Sequence, residues 1–184
     1  MNKSVLLSKI SKPIGKKEAM SLAAENTNAL IGVLDLCLHC NYEIAFRAAW
    51  ILEIAAENNP EEFGLYLDEF TNVYINLRNL SGQRHFTKIL MSLTKNAGRR
   101  DLLSEQKLAI LVETTFEWLI DLQTPVAVRV NCMDILFNLK DKSDWIADEL
   151  RAQIEFQLQN GSPALQSRGK RILNKLARNS TKSY

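Results

Sequence analysis

"CMDILFNLKD", residues 132–141, carries a pattern that returns three more times along the chain. Its Ile135–Leu136 pair has counterparts in "AAWILEIAAE" (48–57), "FTKILMSLTK" (86–95) and "GKRILNKLAR" (169–178), as Ile51–Leu52, Ile89–Leu90 and Ile172–Leu173. Three residues beyond each leucine stands Ala55, Leu93, Leu139 or Leu176, and three before each isoleucine stands Ala48, Phe86, Cys132 or Gly169. Numbered from the isoleucine, the positions −3, 0, +1 and +4 lie along one stripe of an α-helix. The isoleucines are 38, 46 and 37 residues apart, room for a helix pair and its turns. Such a pair cannot bury its stripe alone, so the spacing predicts a stacked array of helical hairpins.

The segments between these stripes are helical too. From Glu62 the apolar positions are Phe63, Tyr66/Leu67, Phe70, Val73/Tyr74 and Leu77, and from Glu105 they are Leu108, Leu111/Val112, Thr115/Phe116 and Leu119/Ile120. No segment alternates as a strand would, and glycine (7) and proline (4) are too scarce for a turn-rich β fold. Asn59–Pro60, Thr124–Pro125 and Ser162–Pro163 read as an N-cap followed by a proline with no N–H to leave unsatisfied, and Ser81, Ser104 and Ser143 read as further caps. The expected helices are 28–40, 43–57, 61–79, 82–96, 104–122, 125–140, 143–160 and 163–178, preceded by short ones at 4–11 and 16–25. The chain is therefore expected to be all-α, a right-handed α-α superhelix of about four hairpins with N-terminal capping helices. Residues 1–184 read as one domain: a cap (1–27), pairs at 28–58, 59–97, 98–141 and 142–179, and a tail (180–184).

"PVAVRVNCMDILFNL" (125–139) resembles the second helix of a HEAT repeat, where Val-Arg-x-x-small-x-x-x-Leu follows a proline-containing turn; "EIAFRAAWILEIA" and "SPALQSRGKRILNKL" are weaker versions. Through "RAAWILE", "YLDEF", "FEWLI", "PVAVRV" and "SRGKRIL" the chain also resembles small HEAT- or armadillo-like proteins of Bacteroidetes-type bacteria over about 29–177. Some of those carry an adenylosuccinate lyase name, which this chain does not merit: it lacks that enzyme's serine-containing signature loop. The resemblance implies a solenoid whose stacked second helices line a concave face that holds other molecules.

Composition sets further expectations. The formal net charge is only +2, but all 21 acidic residues lie between Glu18 and Gly161, against 12 basic ones there. Two basic ends thus flank a middle of net −9. Such ends suit nucleic acid or an acidic surface, and equally a solvated terminus. The apolar start "MNKSVLLSKISK" is too short and broken for a leader, no run is long enough to span a membrane, and three cysteines are an odd count. A reducing cytoplasm is the expected home.

Catalytic chemistry has little to build on. Cys37, His39 and Cys40 fall at the C-terminal end of a predicted helix, where the dipole raises a thiol's pKa, and the only other candidate ligands, Cys132 and His85, are isolated. Core packing is the expected role of this pair. Trp118 with Asp121, or Trp50 with Asp134, echo the aromatics and aspartate of HEAT-like alkylpurine DNA glycosylases, but the acidic middle opposes phosphate binding. Neither a phosphate loop nor a catalytic triad is present, and no metal, cofactor or catalytic residue is expected.

The remaining candidates are cations in the early turns of the second helices: Arg47, Arg84, Lys88, Arg129, Arg168 and Lys170, with Trp50 beside them. They could line a surface for acidic side chains or phosphates, or they could tie each repeat to its neighbour. Their registers differ: Arg47 and Arg168 at −4, Arg84 at −5 and Arg129 at −6. The expected function is a non-catalytic scaffold for a protein or peptide partner on the concave face. The alternative is nucleic-acid binding through the basic ends and Arg47, Arg84, Arg129 and Arg168.

Overall fold

The computed structural model describes residues 2–180, with side chains as far as Arg178. Residues 181–184 of the expected tail, with Lys182, lie outside the described residues. In chain order come α1 (Lys3–Ile10), α2 (Lys16–Glu25), α3 (Leu30–Cys37) and α4 (Tyr42–Asn58), then α5 (Pro60–Phe63) and α6 (Leu67–Asn76). They are followed by α7 (Leu80–Lys95), α8 (Ala97–Arg100), α9 (Glu105–Ile120), α10 (Val126–Leu139), α11 (Asp144–Asn160) and α12 (Pro163–Ser180). No strand occurs among the described residues.

The helices form two layers. Second helices α2, α4, α7, α10 and α12 pack in sequence along one layer, and first helices α1, α3, α6 and α9 follow one another along the other. The recurring stripe joins them: Ala48, Ile51, Leu52, Phe86, Leu90, Cys132, Ile135, Leu136 and Leu139 are fully buried, and Ala55, Ile89, Leu93, Ile172 and Leu176 are at most 4% exposed. Gly169 is buried as well, and only Leu173 is partly exposed. One contiguous apolar core runs from Leu6 to Leu176. The N-terminal segment is more than a lid, because α2 packs on α4 as the later second helices pack on one another.

The second hairpin adds an aromatic core. Phe70 stacks on Phe86 at 5.2 Å and meets Phe63 edge-on at 5.5 Å, while Tyr74 stacks on Trp118 at 4.4 Å. Tyr74 is fully buried, and its hydroxyl and the Thr115 hydroxyl share a 3.0 Å hydrogen bond that satisfies both oxygens across two hairpins. Burial holds the Tyr74 phenol well above its ordinary pKa.

Several boundaries differ from expectation for local reasons. The helix expected over 61–79 is broken by a 3-10 turn at Gly64–Tyr66, beginning at the segment's poorest helix former after Pro60. It ends at Asn76 because Asn79, not Ser81, caps α7, accepting from the Ser81 and Gly82 N–H groups at 3.0 Å. Asn79 also donates to the Tyr42 carbonyl at 2.8 Å, so one side chain both starts α7 and ties it to α4. Ser104 caps α9 as expected, whereas the Asn59 and Ser143 side chains make no cap hydrogen bond. Pro125 sits one residue before α10 rather than at its first position, with Thr124 turned to Asp121. The single turn α8, capped by Asn96, was not expected from periodicity.

Candidate functional site

Position −4 of the recurring register does one job throughout. In α4 it is Arg47, which donates to the carbonyl of Ile10, the last residue of α1, at 3.0 Å and to Glu43 at 2.7 Å. In α7 it is His85, which meets Glu53 of α4. In α10 it is Asn131, which donates to the Thr87 hydroxyl of α7 at 3.0 Å. In α12 it is Arg168, paired with Asp134 of α10. Each reaches the preceding repeat, so a single register holds the array together through four different side chains. His85 and Asn131 were not visible as members from charge alone; their place in the register was the available signal.

The candidate cations therefore divide. Arg47 and Arg129 are only 9% and 8% exposed, each with its guanidinium against the C-terminus of a first helix. Arg129 Nε donates to the Leu119 carbonyl at 3.0 Å, shared with Gln157 of α11. The negative end of the helix dipole compensates these buried charges, and neither is available to an outside anion. Lys88 donates to Glu53 at 2.6 Å. Arg168 and, at 3.7 Å, Arg171 engage Asp134, whose burial nevertheless raises its pKa against their attraction. Arg84 and Lys170 remain exposed.

Glu53 is the centre of a buried clamp. Burial pushes its pKa up, but the hydrogen bonds from His85 and Lys88 outweigh this and hold it below the usual carboxylate value. A carboxyl depressed on folding contributes stability above its unfolded pKa and loses it as pH falls through the folded one. Glu53→Gln is thus expected to cost about 1–3 kcal/mol near neutrality and to flatten the fall in stability below about pH 4.5, read by urea unfolding across pH.

Around this clamp the surface is aromatic. Phe46 is 37% exposed and lies 5.1 Å from the His85 ring and 6.5 Å from half-buried Trp50. The N-terminal ends of α4 and α7 frame a shallow depression of about 690 Å3, open to solvent, lined by Tyr42, Phe46, Arg47 and Asn79. Arg84 stands one turn along α7.

The helices of the two layers differ in charge. First helices α6, α9 and α11 carry nine acidic residues and two basic ones, Lys107 and Arg151. Second helices α7, α10 and α12 carry nine basic residues and one acidic one, Asp134, five of the nine on α12 in the basic C-terminal end, whereas α4 of the same layer carries three acidic residues and one basic one. Within residues 18–161 the second helices carry five basic residues and six acidic ones, so the basic character of their layer comes mainly from α12.

The other sequence candidates do not assemble into chemistry. Trp118 is 8% exposed in the stack with Tyr74, and Asp121 accepts from the Gln123 N–H within its own turn. Trp50 and Asp134 stand on α4 and α10, with α7 packed between those helices, and Asp134 is engaged by arginines. Cys37 is buried, donates to the Val33 carbonyl at 3.3 Å and has its thiol pKa raised by burial. Cys40 corrects the packing expectation for the pair: α3 ends at Cys37, leaving Cys40 exposed. No group of three or more His, Cys, Asp or Glu able to hold a metal occurs among the described residues. No helix among them is long and apolar enough to cross a membrane.

A family model described as a HEAT repeat domain matches residues 6–176. No curated protein and no solved structure matches the chain.

Proposed function

We propose, on the premise that this chain belongs to the HEAT repeat family, that it is a non-catalytic scaffold holding a protein or peptide segment on the face built by its second helices. The basic composition of α7 and α12, against the acidic first helices α6, α9 and α11, is the observation that carries the reading. It gives the second-helix side a basic character that the chain's small net charge conceals. Packing supports the same side. The second helices lie more closely together than the first helices do, and a bilayer of rods closer on one side bends toward it. The face offers Phe46 and Trp50 as apolar anchors and the exposed Arg84 for carboxylates. An acidic segment with apolar side chains is the partner this surface suits.

The same basic layer favours a second reading, a single-stranded nucleic acid with bases on the exposed aromatics and phosphates on the cations. Affinity capture from a host lysate, with and without nuclease, separates the two. The scaffold reading expects a protein that survives nuclease and moderate salt and is lost from both Phe46→Ser/Trp50→Ser and Arg84→Glu. Capture abolished by nuclease, with a steep salt dependence, would transfer the face to nucleic acid. Capture unaffected by either variant overturns the placement on this face.

A further inference from the structure

Along the first-helix layer the spacing changes at one place. Helices α9 and α11 meet where Gln157 donates to the Leu119 carbonyl at 3.0 Å and pack less closely than α6 on α9, while α10 and α12 behind them remain packed. The looser packing leaves a groove of about 830 Å3, open to solvent. Leu108 and Val112 of α9 and Ile146 of α11 form its floor, and all three are buried. Trp145 makes one wall, 48% exposed, with its ring 5.4 Å from that of Phe116. Glu105 and Glu113 stand on the rim two turns apart, about 12 Å along the helix axis. Neither is in an ion pair among the described residues, while the one cation of the rim, Lys142, is held by Asp101 at 3.3 Å.

We infer that this groove is a second docking site, for a basic amphipathic helix of a partner protein. An apolar floor between two helices accepts leucine-sized anchors at i, i+3, i+4 and i+7 spacing. The two unpaired carboxylates are complementary to lysines or arginines beside that stripe, and the exposed indole covers an aliphatic stem or meets its cation. A basic segment is repelled by the cations of α7 and α12, so the two layers select partners of opposite charge. This site stands independently of the reading given above for that layer.

The probe is a synthetic leucine–lysine peptide with leucines at helical spacing, titrated by calorimetry against the full chain. The expected result is one-to-one binding weakened at least about tenfold by Ala109→Trp. That exposed position on the groove lets the new ring fill it without disturbing the core. Glu105→Gln/Glu113→Gln is expected to weaken binding similarly, whereas Glu61→Gln/Glu62→Gln on α5, which removes equal charge elsewhere, leaves it unchanged, as does Phe46→Ser/Trp50→Ser. Matching thermal unfolding of Ala109→Trp and the unaltered chain excludes loss of fold. No binding, binding indifferent to Ala109→Trp, equal losses from the two paired glutamate variants, or loss through Phe46→Ser/Trp50→Ser each overturns the site.

Discussion

Replacing Phe86 with alanine is expected to lower the unfolding free energy by about 3–5 kcal/mol, a large part of the roughly 5–15 kcal/mol that holds an ordinary domain together. Phe86 occupies position −3 of α7, is fully buried, and lies parallel to Phe70 at 5.2 Å and within 6.5 Å of Tyr74. Its removal opens a cavity at the junction of two layers whose backbones are fixed by neighbouring repeats, so little collapse can refill it. At the same position α4 has Ala48 and α12 has Gly169. The hairpin of α6 and α7 is thus the one whose core depends most on aromatic volume. Urea unfolding followed by circular dichroism checks the value, with a shifted midpoint at unchanged slope as the expected form. A loss below about 1 kcal/mol would mean that the aromatic stack is not a keystone of the array.

Gly169→Leu is expected to have a comparable but local effect. A Cβ at this position would stand 2.7 Å from Ile154 Cγ2, a stiff β-branched group, and 3.5 Å from Leu158 Cδ2. Glycine costs α12 about 1 kcal/mol of helix propensity, yet it allows α12 to approach α11. Alanine at this site sets the lost propensity against the clash and should be mildly destabilising. Leucine adds overpacking of about 3 kcal/mol and is expected to detach the final hairpin. Because each repeat contacts only its neighbours, the loss should remain at that end. Hydrogen exchange should show α12 amides losing protection while those of α4 and α7 keep theirs, and global unfolding of all helices together would refute this.

Helix identity, helix order and the internal stripe were legible in the chain because burial repeats with the helical period. Ile135, Leu136 and Leu139 are apolar for the same reason that they are buried, and three other segments repeat the reason. Charge was less legible. Arg47, Arg84 and Arg129 look alike in a sequence, yet a difference of one residue in register, about 100° around the helix, sends two of them to helix ends and leaves the third exposed. The position −4 ties were hidden by their chemistry, since arginine, histidine and asparagine share no pattern except their place. Cys40 was misplaced because a helix end depends on a few hydrogen bonds that periodicity does not report.

By itself the sequence determined an all-helical repeat array, since only stacked hairpins can cover a stripe that recurs every 37 to 46 residues. Tertiary structure alone decided which charges face the same way. Residues distant in the chain share a surface only after the hairpins stack, so the cations of α12, from the basic C-terminal end, join those of α7 on one layer while the acids of α6, α9 and α11 gather on the other. It also decided where the first helices pack loosely enough to leave a groove, because that spacing depends on how neighbouring hairpins rotate and not on the pattern within any one of them.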